Sequence, residues 1–304
     1  MSRRGFEALR LSIWGAWRVF GPDAAYVACV NTVSCEEARA RTGPVPDAVA
    51  WRRASDPPGF MRQHLEAGMA EGVAWKFAPL RCFRDRWELS FDNDCILWET
   101  PTAIRRWLQD GDHDRCVLEE DVKRCLGQFA DLCGPEAFNT GIRGLPPGFD
   151  LAAAMRSVLE RRPVVLRSEL DEQGLQAAAL SLRKPPLLVS VEEVTICSPF
   201  WPHRPLLGPR GAHFVGLNTR ELRWRYFDRP ATECIAENWD RQRDELYRRV
   251  DVPLEPGAAT TRTAMGVPAP AFERGLRHGR QSGLHHRRSA AIGGAGRPHL
   301  RDRR

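Results

Sequence analysis

Apolar residues recur at helical spacing over residues 6–19, and Gly21-Pro22 then ends the run. AAYVACVN (24–31) follows as a short apolar stretch of strand type. Ser34-Cys-Glu-Glu37 has capping-box spacing and predicts a short helix over 35–41. DAVAWRR (47–53) predicts a second strand, and residues 57–80, with prolines at their start, read as a long helical region. WELSF (87–91) reads as a strand, ILWE (96–99) as more extended chain, and TAIRRWLQ after Pro101 as a helix. The pattern then predicts a strand at CVLEE (116–120), a helix through 121–132, and helices at 150–161 and 168–182. Strands PLLVSVEEVTI (186–196) and GAHFVGLN (211–218) and a closing helix over 232–250 complete it. Strands alternating with helices over short connections predict an α/β protein: one domain, residues 1–251, with a central mixed sheet flanked by helices.

From residue 252 the texture changes to Gly, Pro, Ala, Arg and His without periodicity. Such a segment buries too little apolar surface to offset chain entropy, which predicts a disordered Arg/Gly/Pro-rich tail over 252–304. The tail also accounts for the charge. The chain carries a net +6, from 45 Lys+Arg and 39 Asp+Glu, but residues 252–304 hold 10 Arg against 3 acidic residues. Residues 1–251 therefore keep 35 basic against 36 acidic side chains, close to neutral. A nucleic-acid-binding face is not indicated. No apolar run approaches membrane-spanning length, so no transmembrane segment is expected. Nine scattered cysteines without a CxxC pair argue against a disulfide framework or a zinc ribbon, and predict reduced thiols in a cytoplasmic protein.

One stretch resists a purely structural reading. LSFDNDCILWE (89–99) is apolar nearly throughout, yet places Asp92 and Asp94 at the end of a core strand. Carboxylates are rarely buried unless they are paired or hold a metal. If the chain stays extended here, side chains at i and i+2 point to one side, so both carboxylates face the same way. Hard oxygen donors in this arrangement suit Mg²⁺ or Mn²⁺ whose other positions go to phosphate and water. Such an ion would neutralise a diphosphate leaving group.

Five segments in order resemble the GT-A nucleotide-sugar glycosyltransferases, most closely glycosyltransferase family 8: WKFAPL with Lys76, FDND with Asp92 and Asp94, FNTGIRGLP (138–146), DEQGLQ (171–176) and AHFVGLN (212–218). The resemblance implies a GT-A, Rossmann-like fold. It implies that Asp92, Asp94 and His213 bind Mn²⁺ or Mg²⁺, and that Lys76, Asp92, Asn93, Gly141, Gly216 and Arg220 contact the donor nucleotide-sugar. Asn139, Glu172 and Gln173 would bind or orient the transferred sugar. The implied activity is transfer from a nucleoside-diphosphate sugar, UDP-sugar by preference, to an unknown acceptor: glycan, lipid or protein. Two departures stand out. The family carries a lysine three residues after the glycine of AHFVGLN, where this chain has Thr219, with Arg220 the nearest cation. GT-A folds also open with a strand, whereas the first element expected here is the helix over 6–19, so the sheet is expected to lack its first strand. A shortened sheet would leave backbone groups unpaired. It makes a catalytically silent GT-A-like nucleotide-binding protein the first alternative. A nucleotidyltransferase, which also pairs aspartates around Mg²⁺, is the second, and it lacks the Gly-rich phosphate loop that it would need.

Overall fold

The computed structural model describes residues 2–54, 56–66, 74–218 and 224–252, within a compact unit spanning 1–254. Helix α1 (Arg3–Phe20) is started by Ser2, whose hydroxyl accepts the Gly5 N–H at 3.1 Å, and stopped at Gly21, which takes φ 71°. Strands β1 (Tyr26–Val30) and β2 (Val49–Arg53) pair in parallel, joined through helix α2 (Cys35–Thr42). Ser34 caps α2 by accepting the Glu37 N–H. There follow β3 (Glu88–Phe91), β4 (Cys95–Leu97), α3 (Thr102–Asp110), β5 (Val117–Glu120), β6 (Phe138–Leu145), α4 (Leu151–Arg161) and α5 (Glu169–Leu180). The remaining elements are β7 (Leu187–Val189), β8 (Val194–Ile196), β9 (Gly211–His213), the hairpin β10 (Arg225–Tyr226) and β11 (Arg229–Pro230), and α6 (Ala231–Val250).

The described residues make a mixed α/β fold with several sheets and no barrel among them. Instead of one central sheet, the described strands form a four-stranded mixed sheet β3-β6-β5-β7, a three-stranded mixed sheet β4-β9-β8, and the separate pairs β1-β2 and β10-β11. Central strand β6 is buried along its whole length. On β5, Val117 faces a cluster with Ile104 and Trp107 of α3, while Leu118 faces one with residues of α4 and α5. The period-2 alternation thus covers both faces of the four-stranded sheet.

A third cluster joins α1 and α6 to β4 and β9 through Ala8, Leu11, Ile96, Ala212, Ile235 and Trp239. Glu7 of α1 adds a polar tie, accepting from Trp239 Nε1, Arg243 Nε and the Tyr247 hydroxyl at 3.1, 2.7 and 2.9 Å. The crossing is close. A Cβ on Gly15 would lie 2.2 Å from the Leu97 carbonyl oxygen, so α1 can lie on β4 only with glycine at that position.

Several expected elements differ. Within 57–80, the described residues form 3₁₀ turns at Gly59–His64 and Ala74–Phe77; the stretch 67–73 lies outside the described residues. The helix expected through 121–132 is a 3₁₀ turn over Gly127–Leu132. The strand expected over 186–196 is two strands in different sheets. Between them Ser190 folds the chain back: its carbonyl accepts the Glu193 and Val194 N–H groups and its hydroxyl accepts from Glu192. Only Gly211–His213 of 211–218 is strand, because Phe214–Leu217 closes a turn in which Gly216 takes φ 85°. The stretch 252–304, predicted to be a disordered tail, lies outside the described residues from 253 on. Among the described residues no helix is long and apolar enough to cross a membrane.

Candidate metal and anion site

Asp92 and Asp94 do share a side, but through a turn and not through the pleat. β3 ends at Phe91, and Cys95 N–H donates to the Asp92 carbonyl at 2.9 Å, closing a tight turn over Asp92–Cys95. β4 then pairs antiparallel with β9, placing His213 opposite Cys95 and so beside Asp94. One donor atom from each of Asp92, Asp94 and His213 lies within 4.8 Å of the others. His213 Nε2 is 3.5 Å from Asp94 Oδ1 and 3.9 Å from Asp92 Oδ2.

Glu119 stands behind the imidazole. It is fully buried on β5, and its Oε2 lies 2.8 Å from His213 Nδ1. The ladder between β5 and β6 is irregular at this point: Leu118 pairs with Arg143 and Glu119 with Asn139, leaving Thr140, Gly141 and Ile142 without counterparts on β5. Such bulges redirect side chains beside functional sites. Here the extra chain carries Gly141, where a Cβ would lie 2.1 Å from His213 Cε1 and 2.6 Å from Glu119 Oε2. Gly141 therefore makes room for the histidine–glutamate pair.

Lys76 reaches the site from its 3₁₀ turn. Its ammonium lies 2.8 Å from Asp92 Oδ2 and 3.8 Å from Glu172 Oε2, and donates to Thr140 Oγ1 at 3.2 Å. Glu172, buried on α5, also accepts from Gln176 and from the Thr140 hydroxyl. Arg143 lies deeper, donating to Gln176, the Leu80 carbonyl and Ser90 Oγ. Asn218 closes the other side, donating to Asn93 Oδ1 at 2.9 Å and Asp94 Oδ2 at 3.0 Å.

The electrostatics match the geometry. Burial alone would lower the His213 pKa, but Glu119 and Asp94 outweigh it and hold it well above the ordinary value. Burial pushes Glu119 and Glu172 above the usual carboxylate range, with His213 and Lys76 opposing in turn. Lys76 is held above its ordinary value despite burial, by Asp92 and Glu172. Carboxylates thus outnumber the permanent cations Lys76 and Arg143. Two carboxylate oxygens and one imidazole nitrogen form a donor set suited to a hard divalent cation. The Glu119–His213 contact is the outer-shell arrangement that orients a metal-binding histidine, with Nδ1–H toward the carboxylate and Nε2 turned to Asp94 and Asp92, where a bound cation would take the place of its proton.

Two of the residues expected to act on the sugar turn elsewhere. Gln173 points away, its amide donating to the Cys125 carbonyl at 2.9 Å. On α5 it is Gln176, one turn beyond Glu172, that shares its face. Asn139 is committed within the protein: Nδ2 donates to Asp121 and Oδ1 accepts the Gly141 N–H. Arg220, with Thr219, lies outside the described residues. Glu119, Gln176 and Asn218 were not singled out from sequence. The run CVLEE, an apolar strand ending in two glutamates, carries the same signal as the aspartate pair.

Comparison with protein-family models, with curated proteins and with solved structures finds no match.

Proposed function

We propose that this chain is a divalent-metal-dependent glycosyltransferase that uses a nucleoside-diphosphate sugar, on a GT-A-like fold. The observation that carries the reading is the convergence of Asp92, Asp94 and His213 from a turn and a separate strand, with Glu119 holding the far side of the imidazole. Asp92, Asp94 and His213 would hold Mn²⁺ or Mg²⁺, the nitrogen donor favouring Mn²⁺. The ion, when bound, supplies charge neutralisation of the diphosphate leaving group. The chain's own residues do the rest. Lys76 bridges Asp92 and Glu172 and brings a second positive charge to the place where a phosphate would sit. Glu172 and Thr140 line the side nearest that ammonium, where a transferred sugar would be oriented. Catalysis in such a site rests on positioning and on stabilising the departing charge.

The test is Mn²⁺-dependent hydrolysis of a panel of UDP- and GDP-sugars, run beside Asp94→Ala. The expected result is turnover by the parent protein that is lost in the variant; turnover unaffected by the change sinks the reading. One observation favours a second reading, a silent nucleotide-binding protein: the Lys76 ammonium already neutralises Asp92 at 2.8 Å. Thermal stabilisation by UDP without turnover of any donor is the outcome that selects it.

A further inference from the structure

The β1-β2 pair forms no ladder with the other sheets among the described residues, yet at one point it touches the segment that leads into β3. Cys29 of β1 and Cys82, six residues before β3 begins, bring their sulfurs to 3.8 Å across 53 residues of sequence. Cys29 is exposed and Cys82 half-buried, so both can be reached from solvent. We infer that Cys29 and Cys82 form a peroxide-responsive thiol pair that closes to a reversible disulfide, tying the β1-β2 unit to the chain entering β3.

The surroundings assign the roles. Cys82 is held in place by its own backbone: Glu88, the first residue of β3, accepts the Cys82 and Phe83 N–H groups. Arg52 is the ladder partner of Cys29 on β2, and its charge acts on both sulfurs. The contact with the Cys29 sulfur lowers the Cys82 thiol to about 7; burial and Glu88 oppose it, and Arg52 and Arg143 assist. Cys29 is shifted the opposite way, upward, by the same contact and by burial. With its backbone fixed by Glu88 and two arginines, Arg52 and Arg143, acting on its sulfur where only Arg52 acts on Cys29, Cys82 takes the part of the attacking thiolate and Cys29 that of the resolving thiol.

Cys82 sulfur attacks one oxygen of hydrogen peroxide; an S–O bond forms as the O–O bond breaks, and hydroxide leaves to take up the proton lost from Cys82. Cys29 sulfur then attacks the Cys82 sulfenic acid. The S–S bond forms, the S–O bond breaks, and the departing hydroxide takes the Cys29 proton as a second water. Two thiols lose two electrons and one peroxide becomes two waters. A disulfide needs sulfurs about 2 Å apart, so closure asks the two sulfurs to approach by about 2 Å. Once formed, the bond joins β1 to the segment whose far end carries Asp92.

The experiment treats the full chain with one to ten equivalents of hydrogen peroxide, blocks the remaining thiols and maps peptides without reduction. The expected result is a Cys29–Cys82 peptide as the first linked product, a loss of two titratable thiols, and full return on adding a phosphine reductant. Cys29→Ser should leave Cys82 as a sulfenic acid captured by dimedone, whereas Cys82→Ser should give neither the adduct nor the disulfide. Earlier loss of Cys35, Cys125 or Cys133, or a dimedone adduct on Cys29 in place of Cys82, overturns the proposal.

Discussion

Asp171 and Glu172 are consecutive residues of α5, both almost completely buried, and burial pushes both carboxyls upward. They end on opposite sides of the ordinary value. Asp171 accepts the Gln128 and Arg167 N–H groups and the Gln128 side-chain amide, at 2.9, 2.8 and 3.0 Å. Those donors outweigh desolvation and hold its pKa below the usual range. Glu172, turned to the other side of the helix, meets side chains: Lys76, Thr140 and Gln176. They do not offset its burial, and its pKa stays raised. One carboxylate is met by two fixed backbone donors and one side-chain amide and knots the start of α5 to the 3₁₀ turn over Gly127–Leu132. The other belongs to a cluster with spare negative charge, where an incoming cation or phosphate would change the balance. Satisfaction by the backbone marks a structural carboxylate; incomplete satisfaction by movable groups marks a candidate functional one.

The comparison can be broken at several points. The largest effect is expected from Asp94→Asn, which should weaken Mn²⁺ binding by more than about 100-fold, beyond what loss of an outer-shell partner causes. Isothermal titration checks this, and an unchanged affinity would show that the acidic cluster holds no metal. Next, Asp171→Asn should cost about 2–3 kcal/mol in urea unfolding, since it leaves buried N–H donors opposed by an amide. The pH dependence has a definite sign. Because the folded pKa of Asp171 is depressed, its contribution is fully present above about pH 4 and is lost as pH falls through the folded value. The variant should therefore lose less stability than the parent between about pH 4 and pH 2.

Glu119→Gln tests the outer shell. It should reduce Mn²⁺ affinity by about 10–100-fold while His213 remains in place; equal affinities would make Glu119 a structural partner only. The smallest effect belongs to Gln173→Ala, which removes one hydrogen bond and should cost about 1 kcal/mol. Metal affinity should not change, because Gln173 faces Cys125; a loss comparable to that of Glu119→Gln would return Gln173 to the site.

Legibility in the sequence followed the range of the interaction involved. Ser2, Ser34 and Ser168 begin helices by accepting N–H groups three residues on, and Gly21 ends one; the Ser34, Ser168 and Gly21 boundaries lie within a residue or two of expectation, while α1 begins at Arg3, three residues before the expected start. The strands at 26–30, 49–53, 88–91 and 117–120 were equally visible, because their apolar runs are bounded by turn residues. The misread segments needed distant partners. Residues 186–196 read as one strand because nothing local says that β7 joins β5 while β8 joins β9. β6 was quoted as a motif but not assigned as a strand: its polar Asn139, Thr140 and Arg143 are buried only because Asp121, Lys76 and Gln176 meet them.

The sequence by itself determined the α/β alternation, the helix caps, and the presence of two carboxylates at the end of a core strand and a histidine in a later one. These are consequences of local hydrogen bonding and of a period that can be counted along the chain. Only the tertiary structure decided that Glu119 stands behind His213, that Gln176 and not Gln173 shares the face of Glu172, and that the aspartates meet through a turn. The first depends on ladder register, where a shift of one residue turns every side chain to the opposite face; the second depends on which face of α5 packs against the sheet, and the third on the turn that joins β3 to β4.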